Sequence, residues 1–235
     1  MHQFPMPALA CASEPASDLM LVRCANQLIA AATCPDVALR STCAAVSCHR
    51  KAITIAPPEG VADEFTVPGQ YLQIRQPGAE KAGIFAIASA PGAEGPFQFL
   101  IKEQPASDWS PGTGWLTGAD AGAELEMSQV MGGGFKVGDD VLDNIESVLL
   151  FAVGSGISPI RSTIESGVLK GKSVKLYYGA QTPEQMAYTD LFDSWKGLGV
   201  EVTPVISKPD GTDWTGATGC VVPPRRSRSA AYSET

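Results

Sequence analysis

From Val46 onward, apolar and polar positions alternate in short bursts. Val46 to Ile55 alternates loosely, Val67 to Arg75 more regularly, and Ile84 to Ser89 forms a compact apolar run. Phe97 to Lys102 and Ala123 to Ser128 follow, with Pro and Gly residues between the bursts. Alternation puts one face of a strand in the core and the other in water, and the Pro/Gly breaks mark turns. The pattern predicts a small antiparallel β-barrel or sandwich over residues 45–143, interrupted by one short helix near Thr113 to Ala119.

After about Asn144 the period changes. Ser147–Val153, Ser173–Tyr178 and Val200–Ile206 read as strands, with helical spacing between them. Ile157, Ile160 and Ile164 mark a helix that stops by Gly167. A second helix is predicted to open at the capping box Thr182-Pro183-Glu184-Gln185 and to bury Met186, Leu191, Phe192, Trp195 and Leu198. Strands alternating with helices imply a parallel sheet with helices packed on it, here an α/β nucleotide-binding unit over residues 144–222. Three strands leave such a sheet with an unprotected edge, so the unit reads as incomplete. Its ligands are expected beyond the carboxyl ends of the strands.

At the carboxyl end of the first of these strands falls Gly154-Ser155-Gly156, followed by Ile157-Ser158-Pro159. Glycines let the backbone turn tightly and approach an anion, and the next helix offers free N–H groups and the positive end of its dipole. Ser158 is expected as the N-cap, with Pro159 at the first helical position. Tight strand–helix turns also use glycine for purely steric reasons.

Composition narrows the classes. A net charge of −8 argues against general affinity for nucleic acid or anionic membrane. No apolar run approaches the roughly 20 residues of a membrane span. Five of the six cysteines crowd the first fifth of the chain without a Cys-x-x-Cys pair, and the histidines are His2 and His49, which is a poor zinc ligand set. Residues 1–44 are rich in Ala, Cys and Ser and poor in acids, as in an organelle transit peptide or a disordered extension. Residues 223–235 read as a short basic, disordered tail and suggest a chain truncated at its C-terminus.

Four local motifs, in order, carry a resemblance. They are Pro68-Gly-Gln-Tyr71, Phe85-Ala-Ile-Ala-Ser-Ala-Pro91, Ser128-Gln-Val-Met-Gly-Gly-Gly-Phe135 and Gly154-Ser-Gly-Ile-Ser-Pro159. Together they resemble the ferredoxin–NADP reductase family of flavoproteins, especially its plant chloroplast branch. The resemblance implies FAD in the barrel, NAD(P)H on the α/β unit, and a chloroplast location, with the cytoplasm as the alternative.

For the flavin, the resemblance implies contacts from Phe85, Ala86, Ile87, Ala88 and Ser89, from Thr113 at a helix start, and from Gly132, Gly133 and Gly134. Lys102 and Arg75 are nearby strand cations. The family's arginine position is Gly83 here, and a family hydroxyl is replaced by Ala86. For the nucleotide it implies Gly154, Ser155, Gly156, Ile157, Ser158 and Pro159 on the pyrophosphate and Gly179 near the ribose. Ser207 and Lys208 would lie near a 2′-phosphate.

The implied function is a flavin-dependent oxidoreductase moving hydride and electrons between NAD(P)H and FAD and on to an unidentified acceptor. The acidic composition does not favour an acidic ferredoxin in that role. No side chain stands out as an obligatory acid or base. Two alternatives are a non-catalytic binding module with the reductase fold and a nucleotide-binding protein without flavin.

Overall fold

The structure is a computed structural model. It describes residues 50–221 apart from 59, 106, 108–111 and 138, together with the backbone of three earlier strands. In chain order the strands are β1 (Leu19–Val22), β2 (Thr33–Ala38), β3 (Ala44–Ser47), β4 (Arg50–Ile55), β5 (Tyr71–Arg75), β6 (Gly83–Ala86), β7 (Phe97–Lys102) and β8 (Glu124–Ser128). These are followed by β9 (Ser147–Val153), β10 (Ser173–Ala180), β11 (Val200–Ile206) and β12 (Ala217–Thr218). The helices are α1 (Val61–Glu64), α2 (Thr113–Gly118), α3 (Asp139–Leu142), α4 (Ile157–Glu165) and α5 (Phe192–Gly197).

The first half folds into two antiparallel sheets, ordered β2-β8-β5-β6 and β3-β4-β7. Alternation explains the arrangement. In β5, Leu72 and Ile74 point inward while Tyr71, Gln73 and Arg75 stay partly exposed. Ile53, Ile55, Phe99 and Ile101 from one sheet meet Leu72, Ile74, Leu125 and Met127 from the other in a single core. Strands β4 and β7 pair in continuous register from Ile55↔Phe97 to Arg50↔Lys102, which sets two cations side by side at the end of the ladder.

The second half is a parallel sheet of five strands, not the three expected: β1 pairs with β9 and β12 with β11, in the order β1-β9-β10-β11-β12. Strand β9 matches β10 from Ser147↔Ser173 to Val153↔Gly179, so these two strands finish level. Leu150, Leu176, Ile157, Ile160, Ile164 and Trp195 are buried in its core. Leu100 of β7 is buried in the same core, which brings that end of the barrel against the α/β unit.

Two local expectations change. The predicted second helix is broken into 3-10 turns at Pro183–Gln185 and Thr189–Leu191, and only Phe192–Gly197 is α-helical. The break lies at Tyr188, whose φ of 61° is left-handed and incompatible with helix. Its ring is buried beneath the Arg161 guanidinium, 4.7 Å from the centroid, and meets Trp195 edge-on. Tertiary docking of one aromatic ring therefore overrides the capping box, and Leu198 ends up 55% exposed instead of buried. Ser158 also differs from its expected place. A 3-10 turn, Gly154–Gly156, precedes α4, whose cap is Gly156, and Ser158 sits inside the first turn. The Ile157 N–H already donates to the Gly154 carbonyl, so the chain enters the helix without a side-chain cap.

Candidate functional site

At the carboxyl ends of β9, β10 and β11 lies a cleft of about 580 Å³, walled on one side by the parallel sheet and on the other by barrel residues. The sheet contributes Val153, Gly154, Gly179, Ala180, Gln181 and Ser207, and the barrel contributes Arg50 and Lys102. Gln185 and the segment Gly219 to Val221 complete the wall. Among the described residues no aspartate or glutamate lines it.

The turn at Gly154 shapes the floor. Its φ is +57°, and a Cβ there would come within 2.9 Å of Arg50 Nη2, so only glycine admits the guanidinium this close to the backbone. Fully buried Tyr178 holds the turn: its hydroxyl donates to the Gly154 carbonyl at 3.2 Å and accepts from the Ala187 N–H at 3.2 Å. Burial pushes the Tyr178 phenol up to about 12, so it stays a neutral donor, although the Ala187 bond and the Arg50 charge pull the other way. Neither Arg50 nor Tyr178 was singled out from the sequence. Arg50 carries only the faint signal of a cation at the start of a loosely alternating strand.

Of the residues expected to meet the nucleotide, Gly154, Gly179 and Ser207 line the cleft, as does Lys102, expected on the flavin side. Ser155 and Gly156 are partly exposed beside it. Ile157, Ser158 and Pro159 are buried, Ile157 in the sheet core. The Ser158 hydroxyl has no hydrogen-bond partner among the described residues. Ser207 is held by its N–H donating to the Ala180 carbonyl at 3.0 Å. Lys208 is exposed and does not line the cleft; its N–H donates to the Gln181 carbonyl at 2.8 Å.

The barrel residues gather in a different place. Phe85 is 8% exposed and belongs to the barrel core. Its ring folds over Gly83, where a Cβ would lie 2.6 Å from the ring edge. Ala86 is partly exposed, whereas Ile87, Ala88 and Ser89 are buried, and the Gln98 N–H donates to Ser89 Oγ at 3.3 Å. Thr113 starts α2 and is 8% exposed, next to Gly112, which packs on the Gly83 backbone. Gly132, Gly133 and Gly134 form an exposed or partly exposed loop on the Pro68–Tyr71 segment, where Gln70 Nε2 donates to the Gly132 carbonyl at 3.1 Å. Arg75 is committed to Glu126 at 2.5 Å. An N–H from Gly78 and the Arg75 charge hold that carboxyl below its ordinary range. Among the described residues no group of His, Cys, Asp and Glu could hold a metal ion, and no helix is long and apolar enough to cross a membrane.

Residues 150–225 match the oxidoreductase NAD-binding domain family. The chain is 34% identical over 190 residues to fruit protein pKIWI502 of Actinidia deliciosa, covering 76% of this chain and 58% of that protein. It is 29% identical over 150 residues to the reductase component of propane 2-monooxygenase from Rhodococcus jostii, covering 62% of this chain and 38% of that one. The chain thus spans well under two thirds of the length of these curated relatives. In fold it is similar to the crystal structure of a Neisseria gonorrhoeae ferredoxin NADP+ reductase with bound FAD and NADP. That likeness has a TM-score of 0.65 at 15% identity and covers 79% of this chain and 72% of that one.

Proposed function

We propose that this chain is an NAD(P)H-linked electron-transfer reductase, with residues 45–143 as its flavin barrel and 144–222 as its nucleotide domain. The observation that carries the reading is the cleft at the barrel–sheet junction. A glycine turn and two barrel cations converge there, with no carboxylate among the described residues that line it. Those residues fit a dinucleotide: the backbone of the Gly154 turn would hold its pyrophosphate, and Gly179, lining the cleft at the end of β10, would lie beside a sugar. Bound FAD would supply the chemistry of accepting hydride from the nicotinamide. The chain's own task is to hold nucleotide and barrel in fixed relation and to keep the Gly154 turn in place through Tyr178. Relatives named as reductase components of oxygenases favour a protein redox centre as the acceptor.

A second reading has its own observation. On the flavin side the fit is partial, because Thr113 and Ser89 bring hydroxyls but Gly83 brings no cation and Arg75 is already paired. A loss of flavin with retention of the fold would make this a nucleotide-binding module. Absorbance of the purified protein separates the two. The reductase reading expects a yellow protein, or one that takes up added FAD, and bleaching by NADPH without oxygen. A colourless chain that binds NADPH and takes up no FAD overturns it in favour of the module.

A further inference from the structure

Arg50 is the least satisfied charge among the described residues of the molecule. It is 8% exposed, and its Nε is buried without a hydrogen-bond partner among those residues. Its Nη1 donates to the Gln185 carbonyl, a neutral acceptor. None of the ion pairs among the described residues includes it, and none includes Lys102 directly across the ladder. The neighbouring cation, Lys51, is paired with Glu103 at 3.4 Å.

This arrangement is costly for an empty site. A buried guanidinium without a carboxylate pays desolvation that nothing returns, and two like charges directly opposite on paired strands repel. It occurs in a chain with 25 acidic and 17 basic side chains, and no acid is among the described residues that line the cleft. An anion bridging the two cations would remove both penalties, and a guanidinium fork is shaped to take two phosphate oxygens.

The Arg50 Nη2 position against Gly154 says where that anion sits. Resting on the nucleotide reading above, we propose that Arg50, seconded by Lys102, is the cationic clamp on the dinucleotide pyrophosphate. The phosphates would be gripped by α/β backbone on one side and by barrel side chains on the other. Binding would then draw the two halves of the molecule together, and the Arg50–Gln185 contact is the resting state of a group whose better partner is phosphate.

Titration calorimetry of NADP+ and NAD+ into the full chain tests this, using wild type, R50Q, R50K and K102Q at two salt concentrations. R50Q is expected to weaken both nucleotides by roughly 10- to 100-fold and to flatten the salt dependence. R50K should recover part of the loss, and K102Q should cost a few-fold. Equal affinities in wild type and R50Q, with only the melting temperature lowered, would make Arg50 a brace between the halves and overturn the proposal. A loss confined to NADP+ would move the cation to the 2′-phosphate and overturn the pyrophosphate assignment. Should R50Q not fold, unchanged binding in both R50K and K102Q overturns it equally. A wild-type chain that binds neither nucleotide would defeat the nucleotide reading itself, an outcome distinct from a failure of Arg50 alone.

Discussion

The barrel and the parallel sheet each hold residues that the sequence singles out for a cofactor, and the two sets are built from different materials. At the carboxyl end of β9 the set is mainly backbone: a left-handed glycine, a short turn and a helix start, with Tyr178 fastening one carbonyl. In the barrel the expected contacts are side chains, and there the departures accumulate. Gly83 stands where the resemblance would place an arginine, and the Phe85 ring packs over it in the barrel core. A backbone cradle tolerates changes in side chains so long as the turn survives. A side-chain clamp disappears with one substitution, and its neighbours repack into the space. Arg50 and Lys102 are the barrel residues among the described ones that face the sheet's cleft.

The sharpest way to break this contrast is to restore the barrel cation. Gly83→Arg would drive a Cβ into the Phe85 ring, so it should destabilise the chain by about 3 kcal/mol without gaining FAD, as read by thermal melts and flavin absorbance. Tight FAD uptake by a stable Gly83→Arg chain would show that the barrel had kept its clamp geometry.

A somewhat smaller effect is expected in alkali. The Tyr178 phenol is raised from 10.0 to about 12 in the folded chain. Below the unfolded value both states are neutral and the stability is complete. As pH rises from there through the folded value, the unfolded chain ionises first and stability falls by roughly 2–3 kcal/mol. Burial shifts Tyr188 in the same direction. Denaturant melts across this range should show the fall, and Tyr178→Phe should reduce it. A flat profile in the wild type would mean the phenol is not held in a dry site.

Gly154→Ala attacks the cradle itself. A left-handed φ costs a non-glycine residue about 1–2 kcal/mol, and the new Cβ would crowd Arg50. Nucleotide affinity should drop well beyond that stability loss, while flavin content stays as in the wild type. Equal losses of both would mean that the two sites are not separable. The smallest effect belongs to Lys208→Ala. This lysine is exposed and outside the cleft, so NADPH affinity should fall only a few-fold, with NADH unchanged, on the scale of about 0.2–1 kcal/mol for surface charges. A loss as large as that expected of R50Q would mean the 2′-phosphate sits deeper than the strand ends suggest.

Period and punctuation were enough to read much of this molecule. Alternation in Tyr71–Arg75 and Phe97–Lys102 and the isoleucine spacing of α4 are local signals, because burial of one face repeats every two or about every 3.6 residues. The glycine turn was legible for the same reason, since a strand that ends in Gly-x-Gly before a helix has few other shapes. Contacts distant in sequence were not legible. Arg50 and Gln185 lie 135 residues apart, and nothing near Arg50 announces that β4 ends against the sheet. The break at Tyr188 is of the same kind, a cost in local geometry offset by a ring docked between Arg161 and Trp195.

The sequence by itself determined the two kinds of half-structure and the glycine turn between β9 and α4. Those depend on neighbours along the backbone. Only the tertiary structure decided which side chains surround that place. It turned Phe85 into the core, committed Arg75 to Glu126, and left the paired cations Arg50 and Lys102 facing the cleft. The choice rests on desolvation and charge compensation, which depend on what is near in space.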